Sequence, residues 1–446
     1  MIVSKKQPIF QNGSYGIMSF TGKYVIKEVL KIKEDAGDYD IEQTSIHEIV
    51  LLKLYNHPNI VKPVTIKSSF ETFKIYMNNE GIDLHTYIHS TATNIRIDNL
   101  PNIFYQISCG LKYIHDNGLQ HGDLKTSNIL YSDTVKLIKL IDFGGLTSFR
   151  IDNTHKSACT LNFRAPEVCT SPECISGAMD IWGLGITLSC YLYMDYPLNC
   201  QDDTSYIEDI NDKISKGFKS VKINKFVQYV TNSLRILNEN MLIFDHRNRI
   251  TIDEIIAHEL FNNVRKIYEN NYMACKKIKN NRIITNYITS DELIIRRESI
   301  EWIFNKCSDS LCKTCFYLAV RIYDRYIGKY TKKESIKHTN NYELIRIISF
   351  YISEILIQEN YNFITDIHND YKYPVETIIT QIDKIMNTLH YKLYEDTFDY
   401  IILKRDGDID YNLVYEIAQN TDMISYTQRK LVRKYYKLSS KYDQKN

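Results

Sequence analysis

The chain has 446 residues, 44% of them hydrophobic, and its 55 basic and 54 acidic side chains leave a formal net charge of +1. This length predicts two or three domains with ordinary hydrophobic cores, and the charge balance excludes a general attraction to nucleic acid or to an anionic membrane. No stretch approaches the ~18 apolar residues of a membrane span, and ten scattered cysteines predict an intracellular protein of the cytoplasm or nucleus.

Short apolar runs in the first ~80 residues predict β-strands around one helix. Between two such runs, Asn12–Gly16 reads NGSYG, which predicts a hairpin whose glycines let backbone N–H groups approach the phosphates of ATP. Two glycines alone more often mark an ordinary turn. However, a strand beginning at Tyr24 ends in Lys27, whose ammonium group could bind phosphate oxygens. Lys27 needs a carboxylate partner, and Glu48 on the next helical stretch is the candidate.

The segment Thr44–Lys53 reads TSIHEIVLLK, and Asn56–Val61 reads NHPNIV. Together they resemble the PSTAIRE helix and following turn of the cyclin-dependent kinases, with His47 where that helix has Arg. The resemblance implies a bilobal, α+β protein-kinase fold, ATP and Mg²⁺ as cofactors, and protein Ser/Thr side chains as substrates. It makes Glu48 the helix glutamate that pairs with Lys27. A surface glutamate on an amphipathic helix is the alternative.

The same resemblance implies which residues surround the nucleotide. Met77 is the expected gatekeeper, and the backbone of residues 79–81 is the expected adenine contact. In the hairpin, Gln11 stands at the first glycine of G-x-G-x-x-G and Met18 at the valine, which predicts a less close-fitting phosphate clamp. The full set expected at the nucleotide is Gln11, Asn12, Gly13, Ser14, Tyr15, Gly16, Met18, Lys27, Met77, Asn79 and Glu80.

Residues 121–144 contain HGDLKTSN and DFG, which place three potential catalytic groups at the spacing required for phosphoryl transfer. Asp123 is the expected acceptor of a substrate hydroxyl proton, and Asn128 and Asp142 are the expected Mg²⁺ ligands. Lys125 resembles the lysine that marks Ser/Thr kinases and would steady the transferred phosphoryl group. The expected catalytic set is therefore Lys27, Glu48, Asp123 and Lys125.

The segment TLNFRAPE at 160–167 resembles the TLWYRAPE segment of the same family. The resemblance implies that Thr160 bonds the catalytic loop and that Glu167 pairs with Arg249 of the DHRNRI stretch at 245–250. In DIWGLG at 180–185, Asp180 matches the buried helix Asp that braces the catalytic loop. Gly122 is a departure, because most cyclin-dependent kinases have Arg there to receive an activation-loop phosphate. The absence of this Arg weakens the case for a switch by loop phosphorylation, and the sequence leaves open whether such a switch is used.

The region beyond residue 290 predicts amphipathic helices without strands. RESIEWI at 297–303 and TCFYLAVRIYDRYI at 314–327 resemble the first two helices of a cyclin box. The resemblance implies that Arg296 or Arg297 reaches Asp324, and that residues 342–354 and 377–393 form later helices. A generic helical tail is the alternative.

Cyclins contact their kinase through a Lys on the central helix and a Glu on a later helix. Here those positions have Glu354 and Ile382, the latter beside Asp383, so the details of an interface are expected to differ.

The predicted division is a kinase N-lobe (1–80), a C-lobe (81–265), a spacer (266–290), a cyclin-box-like domain (291–395) and a basic helical tail (396–446). The working hypothesis is a Ser/Thr kinase whose cyclin-like part contacts it intramolecularly and positions Glu48. One alternative is a catalytically silent nucleotide-binding scaffold, supported by Gln11. Another is a cyclin-like decoy that captures a different kinase. The 35 tyrosines and frequent Ile, Asn and Lys are typical of AT-rich genomes, such as those of giant DNA viruses or protists.

Overall fold

The computed structural model of the chain places a small sheet with one helix first, a larger helical part next, and a group of helices last. It describes residues 11–13, 16–21, 24–35, 38–54, 56–117, 119–143, 147–148, 160–170, 177–198, 202–221, 228–272, 290–309, 315–333, 342–357, 363–393, 414–415 and 418–419. Ser14 and Tyr15 of the expected nucleotide-binding set lie outside these residues. Among the helices described, none is both long and apolar enough to cross a membrane.

The first part begins with strands that surround one helix, as the sequence predicts. Its elements are β1 (Gln11–Gly13), β2 (Gly16–Phe20), β3 (Tyr24–Leu30), β4 (Ile32–Asp35), β5 (Asp38–Ile41), α1 (Gln43–Leu54), β6 (Pro63–Ser68) and β7 (Thr72–Asn78). Five strands form an antiparallel sheet in the order β1-β2-β3-β7-β6. Alternate side chains of β7, namely Phe73, Ile75 and Met77, are buried on one face, because successive residues of a strand point to opposite sides. Ile46 and Ile49 of α1 belong to the same core.

The second part is mainly helical and contains short strands. Its elements are β8 (Ile82–Asp83), α2 (Leu84–Ser90), α3 (Thr93–Asp116), β9 (Leu119–Gln120), β10 (Ile129–Ser132), β11 (Leu137–Leu140), β12 (Thr147–Ser148), α4 (Pro166–Thr170), α5 (Ala178–Tyr193), α6 (Asp203–Ser215), α7 (Asn232–Met241), α8 (Ile252–Ala257) and α9 (Asn262–Tyr272). Helix α5 is buried on all sides, as expected of a helix whose apolar residues cover its whole surface. The β10–β11 hairpin joins the catalytic loop to the DFG segment.

Helix α9 runs across the boundary that the sequence suggested at residue 265. It packs against α3, where the Tyr268 ring contacts the Tyr105 ring edge-on and its hydroxyl donates to Asn59 Oδ1. The start of the expected spacer is therefore a packed helix. The other domain boundaries stay predictions.

The last part consists, in the residues described, of α10 (Ser290–Asp309), α11 (Cys315–Lys333), α12 (Tyr342–Ile357), α13 (Phe363–Tyr371) and α14 (Val375–Thr388). Arg296 on α10 forms a buried bidentate pair with Asp324 on α11, with both nitrogen–oxygen distances at 2.8 Å. Arg296, not the exposed Arg297, is thus the arginine that makes the expected contact. Of the expected basic tail, four residues are described. Among them, Tyr415 stacks on Phe304 with the two ring centroids 4.1 Å apart.

The last helices pack directly on the N-terminal part. Helix α12 lies against α1, and α13 lies against β5. Buried hydrophobic side chains from all three parts form one large core, and a second cluster around Trp182 lies within the helical part. The β4–β5 hairpin was not expected from the sequence, because its Lys, Glu and Asp residues are poor strand formers. Its packing on α13 supplies the tertiary support that local propensity lacks.

A partly buried histidine near α1 leads to a prediction about pH. The His57 ring lies 5.0 Å from the Tyr113 ring, and its Nδ1 accepts from the Asn59 N–H at 3.1 Å. Burial, aided by the nearby Lys139 charge, lowers the pKa of His57 to about 4. An unfolded histidine titrates near pH ~6.5, so the unfolded state binds more protons between pH 6.5 and 4. Stability therefore falls as the pH drops through this window.

We expect His57→Gln to remove about 1–2 kcal/mol of the stability difference between pH 7 and pH 5. Urea unfolding of both proteins at the two pH values would measure this difference. If the unfolding free energy fell equally in wild type and variant between pH 7 and pH 5, His57 would not be the source of this pH dependence.

Candidate active site

Three charged side chains from separate elements meet between the sheet and the helical part. Lys27 on β3 has its Nζ 2.7 and 2.8 Å from the two carboxylate oxygens of Glu48, and 2.8 Å from Asp142 Oδ1. Glu48 comes from α1, and Asp142 follows β11. The pairing of Lys27 with Glu48 is the one expected from the sequence. The direct contact of Lys27 with Asp142 was not expected, because the sequence suggested only a metal-binding role for Asp142.

Lys27 attracts both carboxylates, whereas burial, together with the nearby Asp142 charge, raises the pKa of Glu48. Burial by itself would lower the pKa of Lys27, but the Glu48 and Asp142 carboxylates outweigh it and raise the pKa above its ordinary value. Burial would likewise raise the pKa of Asp142, but Lys27 holds it below the usual range. Lys27 and Asp142 are therefore both charged at neutral pH. The site presents a fixed ammonium group beside an ionised carboxylate.

Asp123 lies in the catalytic loop with both carboxylate oxygens fixed. Oδ1 accepts from the Thr160 N–H at 3.1 Å and from its hydroxyl at 3.0 Å. Oδ2 accepts from Asn128 Nδ2 at 3.1 Å and lies 2.7 Å from Lys125 Nζ. Lys125 also donates to the Thr160 hydroxyl at 2.8 Å. The structure thus brings Asp123, Lys125 and Asn128 together in one cluster.

Asp180 binds the backbone of this loop. It lies in the first turn of α5 and is almost fully buried. Its carboxylate accepts from the N–H groups of His121 at 2.8 Å and Gly122 at 3.0 Å. His115 Nε2 also lies 2.8 Å from this carboxylate. Sequence reasoning missed His115, because a single histidine near a helix end has no distinctive pattern. Phe143, which follows Asp142, packs 5.2 Å from the His121 ring.

A second buried ion pair braces the neighbouring loop. Arg249 donates to both carboxylate oxygens of Glu167, at 2.7 and 2.9 Å. The Arg249 guanidinium also lies 5.1 Å from the Trp182 ring centroid. The pairing of Arg249 with Glu167 is the contact that the sequence suggested.

Comparisons with known proteins support the same interpretation as the geometry of this site. Residues 17–261, more than half of the chain, match the family model described as the protein kinase domain. The chain belongs to the protein kinase family.

Three relatives illustrate the range of similarity within this family. The kinase chain is 28% identical over 290 residues to Cyclin-dependent kinase G-2 of Oryza sativa subsp. indica, covering 56% of this chain and 40% of the rice protein. It is 29% identical over 288 residues to Mitogen-activated protein kinase 13 of Arabidopsis thaliana, covering 58% and 79%. It is 29% identical over 282 residues to Probable cyclin-dependent kinase 10 of Dictyostelium discoideum, covering 56% and 76%. The chain therefore spans less than half the length of the rice relative and most of the other two.

In a protein kinase, a glycine-rich hairpin covers the nucleotide phosphates. Here Gln11, Asn12 and Gly13 form β1, which pairs antiparallel with β2 so that Gly13 lies opposite Gly16. Gly16 has a φ of +146°, and a Cβ there would come within 2.5 Å of a backbone oxygen on β3. Only glycine fits this position. The expected hairpin is therefore present, and its strand β2 is anchored closely to β3.

The other expected nucleotide contacts lie on strands next to Lys27. Met18 on β2 is directly opposite Lys27 in the register. Met77 is buried near the end of β7. Asn79 and Glu80 follow this strand, and Asn79 Oδ1 accepts from the Gly81 N–H at 3.3 Å. Their contact with adenine stays a prediction.

The two expected metal ligands lie at the same end of the β10–β11 hairpin. Asn128 precedes Ile129, which pairs with Leu140, and Asp142 follows two residues later. Asn128 uses its Nδ2 within the protein, and Asp142 uses Oδ1 to accept from Lys27. Within the described residues, Asn128 Oδ1 and Asp142 Oδ2 have no hydrogen bond. Such oxygens suit Mg²⁺, which usually binds through one or two protein oxygens together with substrate phosphates. The residues present therefore fit an ATP-bound Mg²⁺.

Proposed function

We propose that this chain is an ATP- and Mg²⁺-dependent protein kinase that transfers the γ-phosphate of ATP to Ser and Thr hydroxyl groups of proteins. The observation that best supports this activity is the position of Lys27 Nζ, within 2.8 Å of both Glu48 and Asp142. A lysine held in this way can align phosphate oxygens beside a metal-binding carboxylate. Asp123 lies in the neighbouring loop, where it can accept a proton from the substrate.

The proposed roles of the residues follow from these contacts. Lys27 binds phosphate oxygens of ATP, and Glu48 keeps its ammonium group in place. When bound through Asn128 and Asp142, Mg²⁺ neutralises phosphate charge. Asp123 accepts the proton of the substrate hydroxyl, and Lys125 stabilises negative charge on the transferred group. Most of the expected rate enhancement comes from this positioning and electrostatic stabilisation.

We further propose that the C-terminal helices act as a cyclin-like regulator of the same chain. Three observations support this role. The Arg296–Asp324 pair joins α10 to α11, as the cyclin-box resemblance implies. Helix α12 packs against α1, which contains Glu48. Asp383 on α14, beside the buried Ile382, forms an ion pair with Lys31 at 2.8 Å.

The alternative functions have less support. Gln11 is the best sequence support for a silent scaffold. However, the expected catalytic and metal-binding residues are all present, namely Lys27, Glu48, Asp123, Asn128 and Asp142. A decoy for another kinase needs an unoccupied face on the cyclin-like part. Here α12 already packs on α1 of its own chain, which disfavours that role.

The activity can be tested by incubating the purified full chain with ATP, Mg²⁺ and a library of Ser-, Thr- and Tyr-containing peptides. We expect transfer of labelled phosphate to Ser and Thr only. The Asp142→Asn variant serves as the control for contaminating kinases and should transfer none. ATP binding without phosphate transfer by the wild-type chain would favour the scaffold instead.

A further inference from the structure

We propose that Lys31 is a positioning residue, through which helix α14 sets the spacing between the strand of Lys27 and the helix of Glu48. This inference rests on the proposed kinase function and specifies how the C-terminal helices reach the active site. Lys31 immediately follows β3, so it is joined to the strand that contains Lys27. Among the described residues, its polar contacts are to none of those expected at the nucleotide or in catalysis, so the role we propose is indirect.

The Lys31 side chain makes its polar contacts to two other elements. Its Nζ lies 2.8 Å from Asp383 Oδ2 on α14, a residue 352 positions away in the sequence. It also donates to the hydroxyl of Ser68 at 3.1 Å, and Ser68 donates to Asp383 Oδ1 at 2.9 Å. Both oxygens of Asp383 are thus bound to the N-terminal part, which makes this contact a specific junction.

The Lys31 side chain is only 1% exposed, whereas that of Asp383 is 26% exposed. The ammonium group lies 5.4 Å from the centroid of the Phe73 ring. Tyr391, which follows α14, packs edge-on against the same ring. A buried ammonium group that loses its counter-ion is strongly unfavourable. The buried position of Lys31 therefore depends on Asp383.

The backbone of Lys31 connects the two elements of the active site. Its N–H donates to Glu71 O at 2.7 Å, which fixes the end of β3 to the turn before β7. Its carbonyl accepts from the Glu42 N–H at 3.0 Å, and Glu42 immediately precedes α1. A displacement of Lys31 would therefore shift the start of α1 relative to β3. The 2.7 Å contact between Lys27 and Glu48 spans these two elements.

The test uses the full chain and the variants Asp383→Asn, Lys31→Met and the double variant. Asp383→Asn keeps the side-chain shape and removes the charge. Glu376→Gln removes an exposed carboxylate from the same helix and is the matched control. The measurements are hydrogen exchange of the Glu42 amide and of the α1 amides, and kcat and KM for ATP.

We expect faster exchange of the Glu42 and α1 amides in Asp383→Asn, and no change in Glu376→Gln. Because a displacement of about 1 Å in an active site can cost about 10²-fold in rate, we expect kcat/KM to fall about 10- to 100-fold. The fall should come mainly from kcat, with ATP still bound. Lys31→Met should add little to the effect of Asp383→Asn, because both variants disrupt one contact.

Two outcomes would overturn the inference. One is unchanged hydrogen exchange in α1, and the other is that the effects of Asp383→Asn and Lys31→Met on this exchange are additive in the double variant. Both can be recognised without phosphoryl transfer. If wild type transfers no phosphate, the proposed function fails, while the exchange data still decide whether Lys31 couples α14 to α1. If wild type is active and Asp383→Asn exchanges and turns over normally, the kinase function stands and the role of Lys31 is refuted.

Discussion

Replacing Asp123 by asparagine is expected to lower kcat about 10²- to 10⁴-fold, the usual contribution of a positioned general base. The variant should still bind ATP, because Lys27, Glu48 and Asp142 form a separate cluster. Asparagine keeps the shape of the side chain, and its Oδ1 can still accept from the Thr160 N–H. What is lost is the carboxylate that we propose accepts the substrate proton. The deficit therefore falls on the transition state rather than on nucleotide affinity.

Single-turnover phosphorylation of a peptide substrate, together with titration of a fluorescent ATP analogue, would separate these two quantities. Asp133→Asn is the matched control, because Asp133 is an exposed residue in the turn between β10 and β11, where it forms an ion pair with Lys136. It should behave like wild type. Phosphorylation by Asp123→Asn at the wild-type rate would refute the assignment of the catalytic residue.

Removal of residues 285–446 is expected to reduce kinase activity about 5- to 150-fold, the range of typical coupling between a regulator and its site. The cut falls between α9 and α10 and leaves every expected catalytic residue in the chain. It removes α12 from the surface of α1 and Asp383 from the buried Lys31. Helix α1 would then be less firmly held in the position where Glu48 reaches Lys27.

Activity and thermal unfolding of the truncated and full chains should be measured side by side, so that a folding defect is recognised. The substitution Arg296→Leu is a smaller change than the truncation, because it leaves the whole backbone in place. It leaves the buried Asp324 without its bidentate partner, which we expect to destabilise the helical part by about 3–5 kcal/mol. Its activity should disappear at a lower temperature than that of wild type. Full activity of the truncated chain would contradict the regulatory role without affecting the kinase assignment.

The active-site cluster could be predicted well because its residues occur in local patterns. Asp123 and Asn128 are five positions apart, and Asp142 follows a short hairpin. The partner of Lys27 was suggested by the pattern around Glu48, and the two are in contact. His115 and the Lys27–Asp142 contact were missed, because no local pattern indicates which buried carboxylate a given side chain reaches.

The fold was predictable to a similar degree. The apolar periodicity of β3, β7 and the C-terminal helices indicated the right type of element. The β4–β5 hairpin was not recognised, since its contacts with α13 outweigh a weak local preference. The stretch that contains α9 was interpreted as a partly helical spacer, and its packing on α3 was not recognised. The ion pair between Lys31 and Asp383 joins residues 352 positions apart. Only the folded chain could reveal such a pair.

The contact between α12 and α1 joins two segments of a single polypeptide. Mass action therefore does not govern it, and the specific activity should stay constant when the protein is diluted. An assembly of separate subunits would instead dissociate and lose activity. For a kinase built in this way, the number of molecules synthesised and degraded, rather than the supply of a second subunit, would determine the output.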